Sequence, residues 1–167
     1  IFLSQLQYVI GKENFDNTLK KYFNDWSFKH PKPNDFIRSA EKVSGLELDW
    51  YLLDWAQSTM TIDYSVNSLY GVDNKTRIVL KRIGQMGMPI DLRIKLKSGE
   101  TLDYNIPMTK MRGSKPLQSS TLLKSWSWAK PYYEVWLDVD SKNISKITID
   151  PKNEMADINR DNNYLVL

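Results

Sequence analysis

Apolar residues recur at helical spacing through the first third of the chain and alternate through the rest. From Ile1 to Ile10, Phe2, Leu3, Leu6, Val9 and Ile10 share one helical face, and Gly11 stops the run. Asn14 is placed to cap a second helix, on which Phe15, Leu19, Tyr22, Phe23 and Trp26 form a stripe opposite Lys20, Lys21, Asn24 and Asp25. That aromatic stripe reads as core packing rather than a ligand box. His30-Pro31-Lys32-Pro33 interrupts the helical pattern, because proline biases its predecessor away from helix. Asn34 then caps a third helix with Phe36, Ile37, Ala40 and Val43 inward, ended by Gly45 as a left-handed residue. Asp49 caps a fourth, from Trp50 to about Gln57, which is apolar nearly all round and therefore predicts burial between neighbours. Short loops between short helices predict antiparallel packing.

The period changes to two at Ile62, Tyr64 and Val66. Strands are predicted over Ile62 to Leu69, Thr76 to Ile83 after a turn at Tyr70 to Asn74, Ile90 to Leu96, Leu102 to Ile106, Val135 to Val139 and Ile144 to Ile149. Ser98-Gly99-Glu100 is a hairpin connection, and Pro107 closes the strand before it or marks an edge. Such a series of short strands predicts an antiparallel β-sandwich. The tail from Asn153 to Asn163 is polar and reads as a solvated segment. The fold class expected is therefore α+β, with helices over residues 1–59 and a β-sandwich over 60–167.

The hinge between the two parts carries a specific order of residues. It reads Asp35-Phe36, then Ala40-Glu41, Ser44-Gly45, Leu48 and Trp50, then Trp55, Ser58-Thr59 and Ile62. This order resembles the end of the catalytic domain in the aminopeptidase-N family of zinc metallopeptidases, the gluzincins. Phe2-Leu3, Leu6 and Val9 to Phe15 upstream look like that family's preceding helix, glycine turn and next helix. Tyr22-Phe23 and Phe28 look like the end of the latter, and Ile149-Asp150-Pro151 is similar to its last β-strand. Ser58-Thr59-Met60-Thr61 stands where the family often has a Gly-Thr-Pro-like entry into its sandwich. The resemblance implies a non-catalytic C-terminal portion of such a peptidase, bracing a thermolysin-like catalytic domain. It implies zinc and peptide substrate for the parent protein, and the upstream catalytic domain as a partner. It carries over no catalytic residue and no metal ligand, and no cofactor is expected in this chain.

Composition adds limits. The chain has 167 residues, 41% hydrophobic, with six Trp and nine Tyr, which is enough for an aromatic-rich core. Its net charge of +3 is too balanced to argue for nucleic acid or an anionic membrane. No run of apolar residues is long enough to span a bilayer. The absence of cysteine excludes disulfides and thiolate chemistry but leaves the compartment open, export of the parent included. No signal peptide is visible. The first apolar run opens without Met or a capping residue, which reads as a cut inside a helix. The face it leaves uncovered is expected to meet the upstream domain, or a second copy by self-association.

The chemistry-bearing residues are few. A catalytic zinc site needs three protein ligands, usually with two histidines one helical turn apart, and this chain has one histidine. His30, beside Lys29 at a helix end, reads as a cation near a helix C-terminus. Gly84-Gln85-Met86-Gly87 lacks the residues of a phosphate loop, and Asp157, Asn159, Asp161 and Asn162 lack the glycine and terminal Glu of a calcium loop. The remaining signal is aromatic. Trp126 and Trp128, placed on one face of a strand, lie close to Tyr132 and Tyr133 among Lys110, Arg112, Lys115, Lys124 and Lys130. Trp126, Trp128, Tyr132 and Trp136 are thus the candidate contacts, either to a ligand such as a sugar or to the helical part. A free-standing binding module for carbohydrate or a protein partner is the alternative function.

Overall fold

The helical spacing is realised as four helices, α1 (Phe2–Ile10), α2 (Lys12–Trp26), α3 (Pro33–Ser44) and α4 (Asp49–Ala56), in a computed structural model that describes residues 1–167. Gly11 separates the first two with a φ of 84°. This sharp turn lets α2 start at once, since the Gly11 carbonyl already accepts from Phe15 N at 3.0 Å. Asn14 therefore lies inside α2 rather than capping it, and its Nδ2 donates to the Ile10 carbonyl at 3.0 Å. The start of α3 also comes two residues earlier than expected, with Lys32 and not Asn34 at the cap position. Pro33 occupies the first helical position, where its missing N–H costs nothing, and the Asp35 carboxylate accepts from Lys32 N at 2.7 Å. Gly45 ends α3 in the left-handed conformation as expected, at φ 71°. Before α4 the cap position belongs to Leu48 rather than Asp49.

Burial corrects the helical faces in three places. On α1, Leu6, Val9 and Ile10 are buried while Leu3 is exposed, and Gln5 and Tyr8 take inner positions. Gln5 is tolerated there because both ends of its amide are used: Nε2 donates to the Glu154 carbonyl at 2.8 Å and Oε1 accepts from Ala156 N at 3.0 Å. The α2 stripe is only partly core. Helix α2 packs on α3 with Tyr22 edge-on to Phe36 at 5.1 Å, and Phe15 and Thr18 are its buried residues, whereas Leu19 and Phe23 face outward and Phe23 is 69% exposed. On α4, Trp50, Tyr51 and Asp54 are buried but Leu53 faces solvent, so this helix is not enclosed on all sides.

The alternating part forms eight strands: β1 (Tyr64–Val72), β2 (Lys75–Arg82), β3 (Ile90–Leu96), β4 (Thr101–Ile106), β5 (Thr121–Leu122), β6 (Tyr132–Leu137), β7 (Ile144–Ile149) and β8 (Tyr164–Val166). They make a three-stranded sheet in the order β1-β2-β6 and a five-stranded sheet in the order β5-β4-β3-β7-β8. All pairs are antiparallel except β4 with β5. The β1–β2 hairpin turns on Asp73 and Asn74, both with positive φ, the geometry that matches strand twist. The β3–β4 hairpin turns at Gly99, φ 93°, and Pro107 follows the last residue of β4. Strand β8 falls just past the tail that reads as solvated. It pairs with β7, and the tail before it is not solvated throughout: Met155, Asp157 and Asn163 are buried, and Asp157 accepts from Tyr64 N and Asn159 N beside β1. Gly84 sits where an added Cβ would meet the Thr61 carbonyl and come within 2.6 Å of Asp63 N, so the loop after β2 closes on the entry to β1 only with glycine there.

Thirty buried apolar residues, from Leu6 to Met155, form one cluster that includes α1, α3, α4 and the inner faces of both sheets. Each fully buried Leu or Ile in it contributes on the order of 1.5–3 kcal/mol. The chain is thus α+β, four helices and two mostly antiparallel sheets sharing a core. No helix is long and apolar enough to cross a membrane.

Candidate functional site

Alternation along β2 turns Ile78 and Leu80 inward and Arg77, Val79 and Lys81 outward, and along β6 it turns Val135 and Leu137 inward and Tyr132, Glu134 and Trp136 outward. Register then assembles the outer face. Arg77 on the central strand is paired with Tyr70 of β1 on one side and Trp136 of β6 on the other. Val79 lies between Ser68 and Glu134, and Lys81 lies beside Tyr132. The Arg77 guanidinium sits 4.7 Å from the Tyr70 ring and 5.9 Å from the Trp136 ring, and Lys81 Nζ is 5.7 Å from the Tyr132 ring. Strand spacing puts Tyr70 and Trp136 about 10 Å apart across the sheet, and four residues of rise put Tyr132 about 13 Å from Trp136 along β6. Tyr70, Tyr132 and Trp136 are 47%, 48% and 53% exposed. The charges between them are largely paired: Arg77 Nη1 lies 3.7 Å from Glu134, and Lys75 is 2.7 Å from Asp138 at the rim. The Arg77 Nε, shielded by the flanking rings, has no hydrogen-bond partner.

The four aromatic residues singled out in the sequence therefore separate. Tyr132 and Trp136 share the outer face of the small sheet. Trp126 is 5% exposed and belongs to the core, 5.5 Å from the Tyr64 ring and 5.2 Å from that of Tyr133, with Nε1 donating to the Lys130 carbonyl at 2.8 Å. Trp128 is exposed and stacks under Lys110 at 4.9 Å. It lines a shallow pocket of about 350 Å³ with Trp50, Glu47 and Asp49 from the helical part. Trp126 and Trp128 do not lie on one strand face, contrary to the alternation argument. Their segment is a loop held by single bonds, Trp126 N to the Pro107 carbonyl and Thr109 N to the Trp126 carbonyl, so period-two geometry does not apply. Two contributors to the outer face, Tyr70 and Arg77, are absent from the sequence-based candidates. Tyr70 reads as part of a turn, but β1 runs on to Val72 because the turn needs only Asp73 and Asn74.

A second concave region lies where α1 meets the start of β3, a cleft of about 500 Å³ bordered by Tyr8, Asp91, Arg93, Asp103, Lys115 and Asp150, among others. Its charges hold one another. Lys115 Nζ donates to Asp91 Oδ2 at 2.6 Å and to the Tyr8 carbonyl at 3.3 Å, and rests 4.4 Å from the Tyr8 ring. Asn105 Nδ2 donates to Asp91 Oδ1 at 2.8 Å. The Tyr8 hydroxyl donates to the Pro89 carbonyl and accepts from Asp91 N, both at 3.2 Å. Burial, then the Asp91 and Asp150 charges, push the Tyr8 hydroxyl well above its ordinary pKa, so it is a hydrogen-bonding post and not an acid. Burial also pushes Tyr64 up to about 12 and raises Tyr133. This cleft is a joint between helix and sheet.

His30 is exposed between α2 and α3, and no three His, Asp or Glu side chains converge on a point where a metal ion would be held. No protein-family model matches this chain, and no curated protein matches it either.

Proposed function

We propose that this chain is the non-catalytic C-terminal portion of a zinc aminopeptidase-like protein, with α1 to α4 as the closing wall of a catalytic domain and the β part as its brace. The two sheets form the layers of an antiparallel β-sandwich in this reading: Ile78 and Val135 of the small sheet and Ile94 and Ile147 of the large one belong to the same core. The observation that carries the brace reading is the joint at Tyr8, Lys115 and Asp91, where ionic and hydrogen bonds continue the shared core from helix to sheet. Exposed Leu3, Leu19, Phe23 and Leu53 leave the helices apolar surface for an upstream domain or, at high concentration, for a second copy. Hydrolysis of N-terminal peptide bonds belongs to the parent protein, together with its zinc and peptide substrate. Amino-acyl anilide hydrolysis tests this: the chain alone should be inactive and the full-length protein active. Activity in the chain alone, or inactivity of a metal-loaded full-length protein over varied peptides, overturns the reading. Metal analysis after dialysis should find no stoichiometric zinc in the chain.

The exposed aromatic face of the small sheet favours a second reading, a binding module. Tyr70, Tyr132 and Trp136 share that face, and each keeps about half of its surface in water although Arg77 and Lys81 lie against the rings.

A further inference from the structure

We infer that the outer face of the β1-β2-β6 sheet binds a neutral oligosaccharide lying across the strands, an inference that rests on the binding-module reading. Three features of the face select this ligand. The first is shape. Tyr70, the Arg77 guanidinium and Trp136 form a continuous strip through the β1-β2-β6 register. Two exposed rings about 10 Å apart across it are spaced like a disaccharide, and the C–H face of a pyranose stacks on such rings. Tyr132 supplies a third platform further along β6.

The second is charge. Arg77 and Lys75 each already hold a carboxylate, Glu134 at 3.7 Å and Asp138 at 2.7 Å, which leaves Lys81 as the cation of the face without an ion pair. An anionic polymer would have to displace those carboxylates, and a nucleic acid needs a series of free cations along its phosphates. Hydroxyl groups need no such exchange: the Arg77 guanidinium donates to them and the Glu134 carboxylate accepts from them in the arrangement already present. The third is composition. Glu and Lys are depleted in protein-binding patches, whereas this face carries Glu134 and Lys81 among its rings and Val79 as its central aliphatic residue.

Native gel electrophoresis of the chain through gels containing hydroxyethyl cellulose, glycogen or polygalacturonate tests the inference. Trp136→Ala and Tyr132→Ala serve as variants, each checked for an unchanged melting temperature so that lost binding is not lost folding. Retardation by one of the two neutral polymers, insensitive to added salt and weakened about 10-fold or more by Trp136→Ala, is expected. Retardation by polygalacturonate alone, falling with salt and lost in Trp136→Ala, overturns the neutral ligand and leaves the binding face standing. Retardation unchanged in both variants moves the site elsewhere and overturns the inference. No retardation by any polymer overturns the inference and leaves the binding-module reading to a protein partner.

Discussion

On the five-stranded sheet, the outward residues of β3 and β4 satisfy one another. Arg93 meets Asp103 through two bonds at 2.7 and 2.8 Å, and Asn105 donates to Asp91, which Lys115 then covers. On the three-stranded sheet, the outward residues are rings and cations, and the rings stay open to water. Alternation places the outward residues identically in both sheets. What differs is whether the cross-strand partner completes the chemistry. A carboxylate opposite a guanidinium is satisfied within the sheet, whereas a tryptophan opposite an arginine still offers a ring face and an edge to a ligand. Exposure alone does not mark the difference, since Lys95 on the large sheet is also exposed. The type of residue that is left exposed does.

The largest expected effect contrasts the two sides of the small sheet. Trp126→Ala removes a buried ring between Tyr64 and Tyr133 and should cost about 3–5 kcal/mol, while Trp136→Ala on the outer side should change stability by no more than about 1 kcal/mol. Urea melts of the two variants side by side measure the contrast, and equal losses would mean that Trp136 is part of the structural core. Next is the closure of the large sheet. Lys115→Met leaves the Asp91 carboxylate in the joint without its ammonium and should cost roughly 2–3 kcal/mol. Adding Asp91→Asn should return part of that loss, and a double mutant as unstable as the sum of the singles would contradict the pairing.

A smaller effect follows from Arg93, which holds the Asp103 carboxyl below its ordinary pKa mainly through their hydrogen bonds. The folded value is lower than the unfolded one, so the pair stabilises above about pH 4 and the contribution is lost as pH falls through the folded value. Because the pair is partly solvated, Asp103→Asn should cost about 0.5–1 kcal/mol at neutral pH and nothing in acid. Denaturation at pH 7 and below pH 3 gives both numbers. The smallest effect is at Asp54 on α4, where burial raises the carboxyl pKa and Lys110 only partly opposes it. Here the sign reverses: the folded value is higher, so the contribution is present at low pH and is lost as pH rises through it. Asp54→Asn should be more stable than wild type at pH 7 by less than about 1 kcal/mol, with the gap closing as pH falls through the carboxylate range. A gap that widened in acid would mean that the carboxylate has a partner.

The sequence by itself determined the elements whose cause is local. Strand β3 has the predicted bounds, Ile90 to Leu96, because its alternation is unbroken. Gly45 and Gly99 take the positive φ their turns require, and Pro107 falls where β4 stops, since no neighbour is needed to dictate a backbone dihedral or a missing N–H. The α+β order was legible for the same reason, as the switch from a helical to a strand period is a property of the chain alone. Tertiary structure decided everything that depends on what lies opposite. Trp126 and Trp128 are two residues apart and indistinguishable by type, yet one is core and the other surface because their loop is pinned by Pro107 and Thr109. Strands β5 and β8 consist of two and three residues, too short for any period to reveal, and exist only through their partners β4 and β7. The aromatic face was half legible: Tyr132 and Trp136 stand out on β6. Tyr70 and Arg77 join them only through the register of three strands, a long-range pairing that no local pattern encodes.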